Sequence, residues 1–378
     1  MTKPFDVCIR GDGAVGRVLA LLLAKERLKV ALIKPPDRPV NGSPVNDIRA
    51  YALNSASKQL LESLRVWPDA DFATPVQSMQ VWGDDGGQLE FKAPSSRPSS
   101  DATLTWIVDV PQLEAQLLQA CNYQSLLEVV TESELAPVSA PLCVICEGQK
   151  SSARNQVSAY WTRKPYPQRA VAARLTSSLP HNGCARQWFS NGEVLALLPM
   201  GGAMGNSLAL VWSVMDDHAA LLEQLPAESF CAALSSACHG AAGVLHLTSE
   251  RASWPLALSS ADRWVGPGWA LAGDAAHTVH PLAGQGLNLG LADAACLSGV
   301  LAGREYWRGL GDEKLLRRYE RARKAEVAAV SLVTDSLQSL FAQTAPGWQT
   351  ARNWGMNGVA ASAPLKNWLA QRAAGVPL

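Results

Sequence analysis

Apolar and polar residues alternate along this chain in two rhythms. Residues 5–10 are a short apolar run of strand character that stops at a cluster of glycines. Residues 15–25 follow at helical spacing, with Val18, Leu19, Leu22 and Leu23 dense on the helix. Residues 28–33 form a second strand, completing a strand-turn-helix-strand unit. A further helix is predicted over 54–64. Strands over 77–82 and 88–91, parted by a Gly/Asp turn, predict a hairpin. Residues 110–121 place Leu113, Leu117 and Leu118 on one helical face, and 142–146 is a short apolar strand.

From about residue 163 to 255 the rhythm becomes that of strands, for example at 169–175, 186–189, 195–199 and 207–214, with one helix predicted over 219–234. A return strand at 269–272 precedes a helix at 287–301, and the tail from 313 is helical, with Pro346 and Pro364 as breaks. The pattern predicts an α/β chain. A Rossmann-like nucleotide-binding domain takes residues 1–70, 101–162 and 262–335, and an inserted, mainly antiparallel substrate sheet takes 71–100 and 163–261. A C-terminal helical segment covers 336–378.

Composition narrows the function classes. With 48% hydrophobic residues, 378 residues can bury the cores of two domains. Lys+Arg and Asp+Glu are both 33, and this balance argues against a general nucleic-acid binder. Cys143 and Cys146 make a C-x-x-C inside an apolar strand, with no second pair or histidine to complete a metal site, so buried reduced thiols and no metal are expected. Met1-Thr2-Lys3-Pro4 leads straight into a strand, and no apolar run reaches the ~18–20 residues of a bilayer span. A cytoplasmic protein is expected, with peripheral membrane contact left open.

Two motifs carry chemistry. Gly11, Gly13 and Gly16 form G-x-G-x-x-G between a strand and a helix. The first glycine permits the turn, the second lets the backbone approach a pyrophosphate, and the third lets helix and strand pack closely. The helix start then offers free N–H groups and a positive dipole end to the phosphates. A carboxylate commonly ends the second strand to bind ribose, but Lys34 stands there, which fits the 2′-phosphate of NADP and keeps an NADP-dependent dehydrogenase as an alternative. Some 260 residues later, Gly273-Asp274 follows an apolar strand, and residues 281–288, with Gly284, Gln285, Gly286 and Asn288, begin a helix. Asp274 can accept hydrogen bonds from a sugar-alcohol chain, and the glycine-rich helix start can stabilise charge on a reduced flavin. Together they point to one long cofactor held at both ends, FAD.

These residues resemble the FAD-dependent aromatic hydroxylases of the para-hydroxybenzoate hydroxylase type, and most closely their ubiquinone-biosynthesis branch. The resemblance spans nearly the whole chain. It includes Asp47-Ile48-Arg49-Ala50-Tyr51-Ala52-Leu53, Trp67-Pro68, Leu195-Ala196-Leu197-Leu198-Pro199, Tyr319-Glu320-Arg321-Ala322-Arg323 and Thr334-Asp335. A third family motif, A-D-G-x-x-S-x-x-R, stands here as Cys146-Glu147-Gly148-Gln149-Lys150-Ser151-Ser152-Ala153-Arg154, with Glu147 in place of the usual aspartate. The resemblance implies that Arg49 lies near the FAD pyrophosphate or flavin and that Asp274 binds the ribitol. It further implies that Gly284, Gln285 and Gly286 line the flavin, and that Glu147 and Gly148 belong to a loop serving FAD and a pyridine nucleotide. Pro281 and His280 are the candidates beside the reacting ring, and His277 is expected in a supporting role.

The activity so implied is monooxygenation. NAD(P)H reduces FAD, and a flavin C4a-hydroperoxide hydroxylates an aromatic ring, by resemblance a polyprenyl phenol on the way to ubiquinone. Trp188, Phe189 and Trp212 are candidate wall residues of the substrate site and equally candidate core. A lipid-tailed substrate favours membrane proximity or a quinone-biosynthesis complex. The arginines at 317, 318, 321 and 323 are offset by Glu320 and Glu326, so a solvated helix face is expected there. With Lys34 and Glu147 both departing from pattern, a weakly FAD-binding or non-catalytic scaffold is the remaining alternative.

Overall fold

The computed structural model describes residues 5–34, 47–83, 87–93, 103–131, 140–157, 159–279 and 285–342, with side chains to 332. The segment 343–378, with Pro346 and Pro364, lies outside the described residues, as does Pro281 with its neighbours 280–284.

The first sheet has six strands, in the order Val265–Gly266, Trp269–Leu271, Leu142–Ile145, Val7–Arg10, Val30–Lys34, Leu127–Thr131. All pairs are parallel except the short edge hairpin Val265–Gly266/Trp269–Leu271. A parallel sheet needs strands that are apolar almost throughout. Val7, Ile9, Val30, Leu32, Leu142 and Val144 meet that need with almost no exposure. Helix Ala14–Lys25 packs on this sheet and against helices Val110–Tyr123 and Gln285–Ala302, so the N-terminal helix touches one that begins 260 residues later. Asn54 caps helix Ser55–Ser63 by accepting from the Ser57 N–H, and Asp109 caps Val110–Tyr123 by accepting from the Gln112 N–H.

The second sheet has nine strands, antiparallel save that Ser78–Trp82 runs parallel to Cys184–Ser190. The predicted hairpin is therefore part of the inserted sheet. Its longest strand, Trp161–Ser177, is 17 residues and pairs with Ser207–Met215 on one side and Ala252–Ala261 on the other. The register slips between Pro165 and Arg169, where Pro165 and Pro167 stand. Proline cannot donate to a ladder and is tolerated at such irregularities. At the far edge His277–Thr278, from the second cofactor motif, pairs with Ala252–Ala261. One face is covered by two helices, Asp216–Gln224 and Ala227–Ala237, where a single helix was expected. Pro226 divides them, because a proline inside a helix loses a hydrogen bond and crowds the preceding turn.

Strand register shows which face is which. Trp82, Trp188, Leu195, Trp212 and Val171 lie in one row across the sheet. Trp188 stacks on Trp82 at 4.7 Å, and Trp188 and Trp212 are buried in the core beneath the two helices. They are therefore core residues, not walls of a substrate site. Phe189 packs against Val81 and Leu89 instead. On another part of the sheet Ala185, Met200 and Ala209 meet Ala50, Val76 and Ile107. These last belong to a third, unforeseen sheet of Ala50–Leu53, Thr105–Asp109 and Ala73–Val76. Arg174 fastens the large sheet to the small one, donating to the Arg49 carbonyl and to the Asp109 carboxylate, both at 2.9 Å.

Three glycines show how tightly the nucleotide turn is built. A Cβ on Gly16 would sit 2.0 Å from the Gly11 carbonyl oxygen, and one on Gly290 would sit 2.6 Å from the Val15 side chain. A Cβ on Gly13 would meet nothing within 4 Å. Gly16→Ala is expected to lower stability by about 1–3 kcal/mol through overpacking, and Gly13→Ala to stay within about 0.5 kcal/mol of wild type. Urea unfolding of the ligand-free protein measures both, and equal losses would contradict the close-packing account.

Candidate cofactor site

A cavity of about 720 Å³ opens where the parallel strands end. Gly11, Lys34, Cys146 and Ala272, which line it, each close or follow the C-terminal end of a different strand. Ligands of open α/β sheets bind at this end, where loops and helix starts converge. Both motifs contribute: Gly11, Gly13, Ala14 and Val15 from one side, Asp274, Gly286 and Leu287 from the other. A second cavity of about 520 Å³ lies on the large sheet beside helix Asp216–Gln224. It contains none of the motif residues, and its Arg169 and Glu223 face each other at 3.8 Å.

The first cavity has the features of a dinucleotide cradle. Gly13, Gly148 and Gly286 all line it, and a Cβ on any of them would meet open space. Backbone is thereby left bare on three sides. Gly13 precedes helix Ala14–Lys25, whose first N–H groups open toward the cavity end. Gly11 has φ +107°, and a Cβ there would lie 2.5 Å from the Cys146 carbonyl, so only glycine passes between the two strands. These observations fit FAD at both its phosphate and its flavin end.

Charge in the cavity is mixed. Asp274 is exposed because its side chain reaches into the open volume, yet protein crowds around it. Burial pushes its carboxyl up and Asp293 adds to this, while His277, Arg49 and a hydrogen bond from Gln149 oppose. Arg49 is held by Asp47 through contacts of 2.9 and 2.6 Å and reaches Glu114 at 3.2 Å. The hydrogen bonds that Arg49 donates to Asp47 raise its pKa further. Tyr51 also lines the cavity, near the charges of Arg49 and Asp274, and burial pushes its phenol up, so it stays neutral. Lys34 and Lys150 add cations at the rim.

Glu147 braces its own loop. Its carboxylate accepts from Arg10 at 2.9 Å, from the Ser151 hydroxyl at 2.8 Å and from the Ala153 N–H at 3.0 Å. Burial opposes its charge, but these donors outweigh burial and hold its carboxyl below the usual range. It thus folds the loop 147–153 back on itself. Arg154 closes the motif, donating to the Ala275 and Gln149 carbonyls and stacking 3.7 Å over Trp161. That bond to Ala275 ties the third motif to the second.

Behind the second motif lies a buried ionic network that the sequence did not announce. Asp293 has no exposure and stands in the otherwise uncharged helix Gln285–Ala302. One carboxylate oxygen accepts from the Gly273 N–H at 2.9 Å and pairs with His277 at 2.7 Å; the other accepts from Arg323 at 2.7 Å. Burial opposes its charge, but His277 and Arg323 prevail and hold its carboxyl below the usual range. His277 is stacked on Trp264, and the Tyr319 hydroxyl donates to the Leu271 carbonyl at 2.8 Å. The turn that presents Asp274 is thus pinned from beneath. A lone acid in an apolar helix was the available signal, since a buried charge demands a partner.

Of the predicted cofactor residues, Gly11, Gly13, Arg49, Glu147, Gly148, Asp274 and Gly286 line the cavity. Gly16 and Gly273 sit behind it as packing and turn residues, Gly273 at φ +61°. Gln285 starts the helix without lining the cavity. Asn288 turns its side chain elsewhere: it accepts from the Asn54 N–H and the Ser57 hydroxyl and donates to the Ala52 carbonyl, joining its helix to the small sheet. Gly284, Pro281 and His280 lie outside the described residues.

Comparison with known proteins adds a separate line. The family described as FAD binding domain matches residues 112–333. The chain belongs to this FAD-binding family. Among its relatives, ubiquinone hydroxylase UbiL of Rhodospirillum rubrum is 32% identical over 99% of this chain and 90% of that protein. The 3-demethoxyubiquinol 3-hydroxylase of Escherichia coli is 27% identical over 99% of both. In fold, the chain matches the crystal structure of Pseudomonas aeruginosa PqsL in complex with 2-aminobenzoylacetate. The TM-score is 0.74 at 22% identity, covering 93% of this chain and 100% of that one. The family is thus that of the FAD-dependent aromatic hydroxylases, in the ubiquinone-biosynthesis branch that the motifs resemble.

Asp293→Ala would leave the buried Arg323 with only Glu326 and the Leu289 carbonyl as partners and orphan the Gly273 N–H, and a loss of about 3 kcal/mol is expected. Adding Arg323→Met should restore much of that stability without restoring the bond to Gly273, so FAD retention should stay low. Denaturation midpoints and flavin absorbance of the purified variants report the two effects separately.

Proposed function

We propose that this FAD-dependent aromatic hydroxylase acts on a polyprenyl phenol in ubiquinone biosynthesis, with NAD(P)H as the transient reductant. The observation that carries the reading is one cavity lined both by Gly11, Asp12 and Gly13 and by Asp274, Gly286 and Leu287, residues far apart in sequence that a long dinucleotide would span. Bound and reduced, FAD supplies the activation of dioxygen from which one oxygen atom enters the ring. The relatives named for ubiquinone hydroxylation support the substrate class.

The protein's own share is binding, orientation and exclusion of water. The bare backbone at Gly13 and the helix start behind it hold the pyrophosphate. Asp274 accepts from the ribityl hydroxyls, and the start of helix Gln285–Ala302 faces the flavin. Arg49 offers a cation toward the phosphates, released in part from Asp47 and Glu114 as they bind. Pro281 and His280 are proposed beside the reacting ring. The division into an FAD-binding domain (1–70, 101–162, 262–335), a substrate domain (71–100, 163–261) and a C-terminal segment belongs to the same proposal. A dehydrogenase reading accounts for Lys34 at the rim but gives the Gly273-Asp274 turn no purpose. Among the described residues no helix is long and apolar enough to cross a membrane. A lipid-tailed substrate therefore calls for peripheral membrane contact or a quinone-biosynthesis complex.

The pH dependence of FAD binding tests the role of Asp274. Burial raises its pKa in the FAD-free protein, and hydroxyl donors favour the carboxylate, so binding releases a proton. Affinity should rise as pH climbs above the ordinary aspartate range and level off once Asp274 is ionised in the free protein. Asp274→Asn should abolish the slope. Asp274→Ala should weaken FAD binding roughly 10- to 100-fold, as expected for losing a charged acceptor. An unchanged affinity in titrations followed by flavin fluorescence would remove Asp274 from the site. Substrate class is tested by deleting the gene and identifying the accumulated quinone precursor; a normal quinone profile would reject it.

A further inference from the structure

The loop joining helices Gln285–Ala302 and Glu313–Ala342 holds two large aromatic side chains in water. Tyr306 is 94% exposed and Trp307 66%, packed edge to face with ring centres 4.9 Å apart. Other tryptophans, such as Trp188, Trp212 and Trp264, are buried. Exposure of this pair is not a result of slackness. Arg308 pairs with Glu305 at 3.1 Å and with Asp312 at 2.9 Å, and Arg318 reaches back to Glu305 at 2.5 Å. Asp312 also accepts from the Leu315 N–H at 3.0 Å, capping the next helix, and Leu310 is buried beneath the loop. The aromatic pair therefore stands on a braced platform, so little ordering entropy remains to be lost on docking.

The surroundings are cationic. On the adjoining helix Lys314, Arg317 and Arg321 are exposed at spacings of three and four, which puts them on one face, with Arg317 also paired to Glu313 one turn back at 2.6 Å. Residues 303–321 carry six cationic and four acidic side chains, in a chain whose net charge is zero. Tyr and Trp combine an apolar body with a polar tip and favour the headgroup level of a bilayer, and neighbouring Lys/Arg favour anionic lipid.

We propose that this loop and the first turns of the following helix form a docking surface for an anionic membrane, with Tyr306 and Trp307 entering the headgroup layer and Lys314, Arg317 and Arg321 facing lipid phosphates. The inference stands on these side chains alone, so its failure would leave the flavin reading untouched.

Vesicle flotation of the full-length, FAD-loaded protein tests it. Wild type is expected to float with vesicles of mixed phosphatidylcholine and phosphatidylglycerol, and less with phosphatidylcholine alone. Tyr306→Ser with Trp307→Ser should lower partitioning roughly 100-fold, about tenfold for each aromatic side chain withdrawn from the headgroup layer. Tyr306→Trp should preserve it. Arg317→Glu with Arg321→Glu should abolish the preference for anionic vesicles. Thermal midpoint and flavin content should not change in the serine pair, because both residues are exposed. Wild type that stays with the lipid-free fraction would overturn the proposal. So would a serine pair that floats like wild type, or one that alters only self-association in sedimentation, which would mark a protein contact instead.

Discussion

One carboxylate with no contact with water, Asp293, sets the geometry on which the cofactor cavity depends. A buried charge is tolerated only when its lone pairs are filled, and here three different segments fill them: Gly273 in the cofactor turn, His277 on the edge of the large sheet, and Arg323 in the long C-terminal helix. The turn cannot shift without uncovering that charge. Asp274, next along the chain, therefore reaches the cavity from a fixed base. Tyr319 and Trp264 close the same region with a hydrogen bond to Leu271 and a stack on His277.

The three sheets meet around this point. The parallel sheet supplies strand ends, and the edge strand His277–Thr278 of the large sheet brings His277 to Asp293 behind the cavity. The small sheet places Arg49 and Tyr51 at the opening. Arg174 and Asn288 are the fasteners: one crosses from the large sheet to Arg49 and Asp109, the other from the cofactor helix to Ala52, Asn54 and Ser57. Neither needs to touch a ligand to matter for where Arg49 stands.

Much of this was legible in the residues. Glycines that must leave backbone bare, and an acid placed at the end of an apolar strand, are local requirements of a ligand, so Gly11, Gly13, Asp274 and Gly286 could be located without a structure. The parallel unit and the inserted antiparallel sheet also followed from the two apolar rhythms. What escaped depended on distant partners. Period-two alternation put Trp188 and Trp212 on a sheet face but not on which one; pairing through Leu195 puts them in one row, and packing with Leu222 and Phe230 puts that row beneath the helices. The small sheet is built from runs of four or five residues, too short for a period to emerge. Asn288 sits in a cofactor motif, yet its amide is spent on residues more than 230 positions away. Asp293 was visible as an oddity; its partners were not.

The strand order carries a consequence for synthesis. Leu142–Ile145 lies between Val7–Arg10 and Trp269–Leu271, so one of its two edges finds its partner only after about 120 further residues have been made. At typical rates of elongation that is roughly 6 to 25 s. During that interval the nascent chain carries an open parallel edge of Leu, Cys, Val and Ile, a template for wrong pairing. The cofactor turn is made directly after the missing strand, and the helix that completes the cavity follows it. A chain stalled or truncated inside the inserted sheet thus lacks both the strand that seals the edge and the half of the cavity that would hold the flavin.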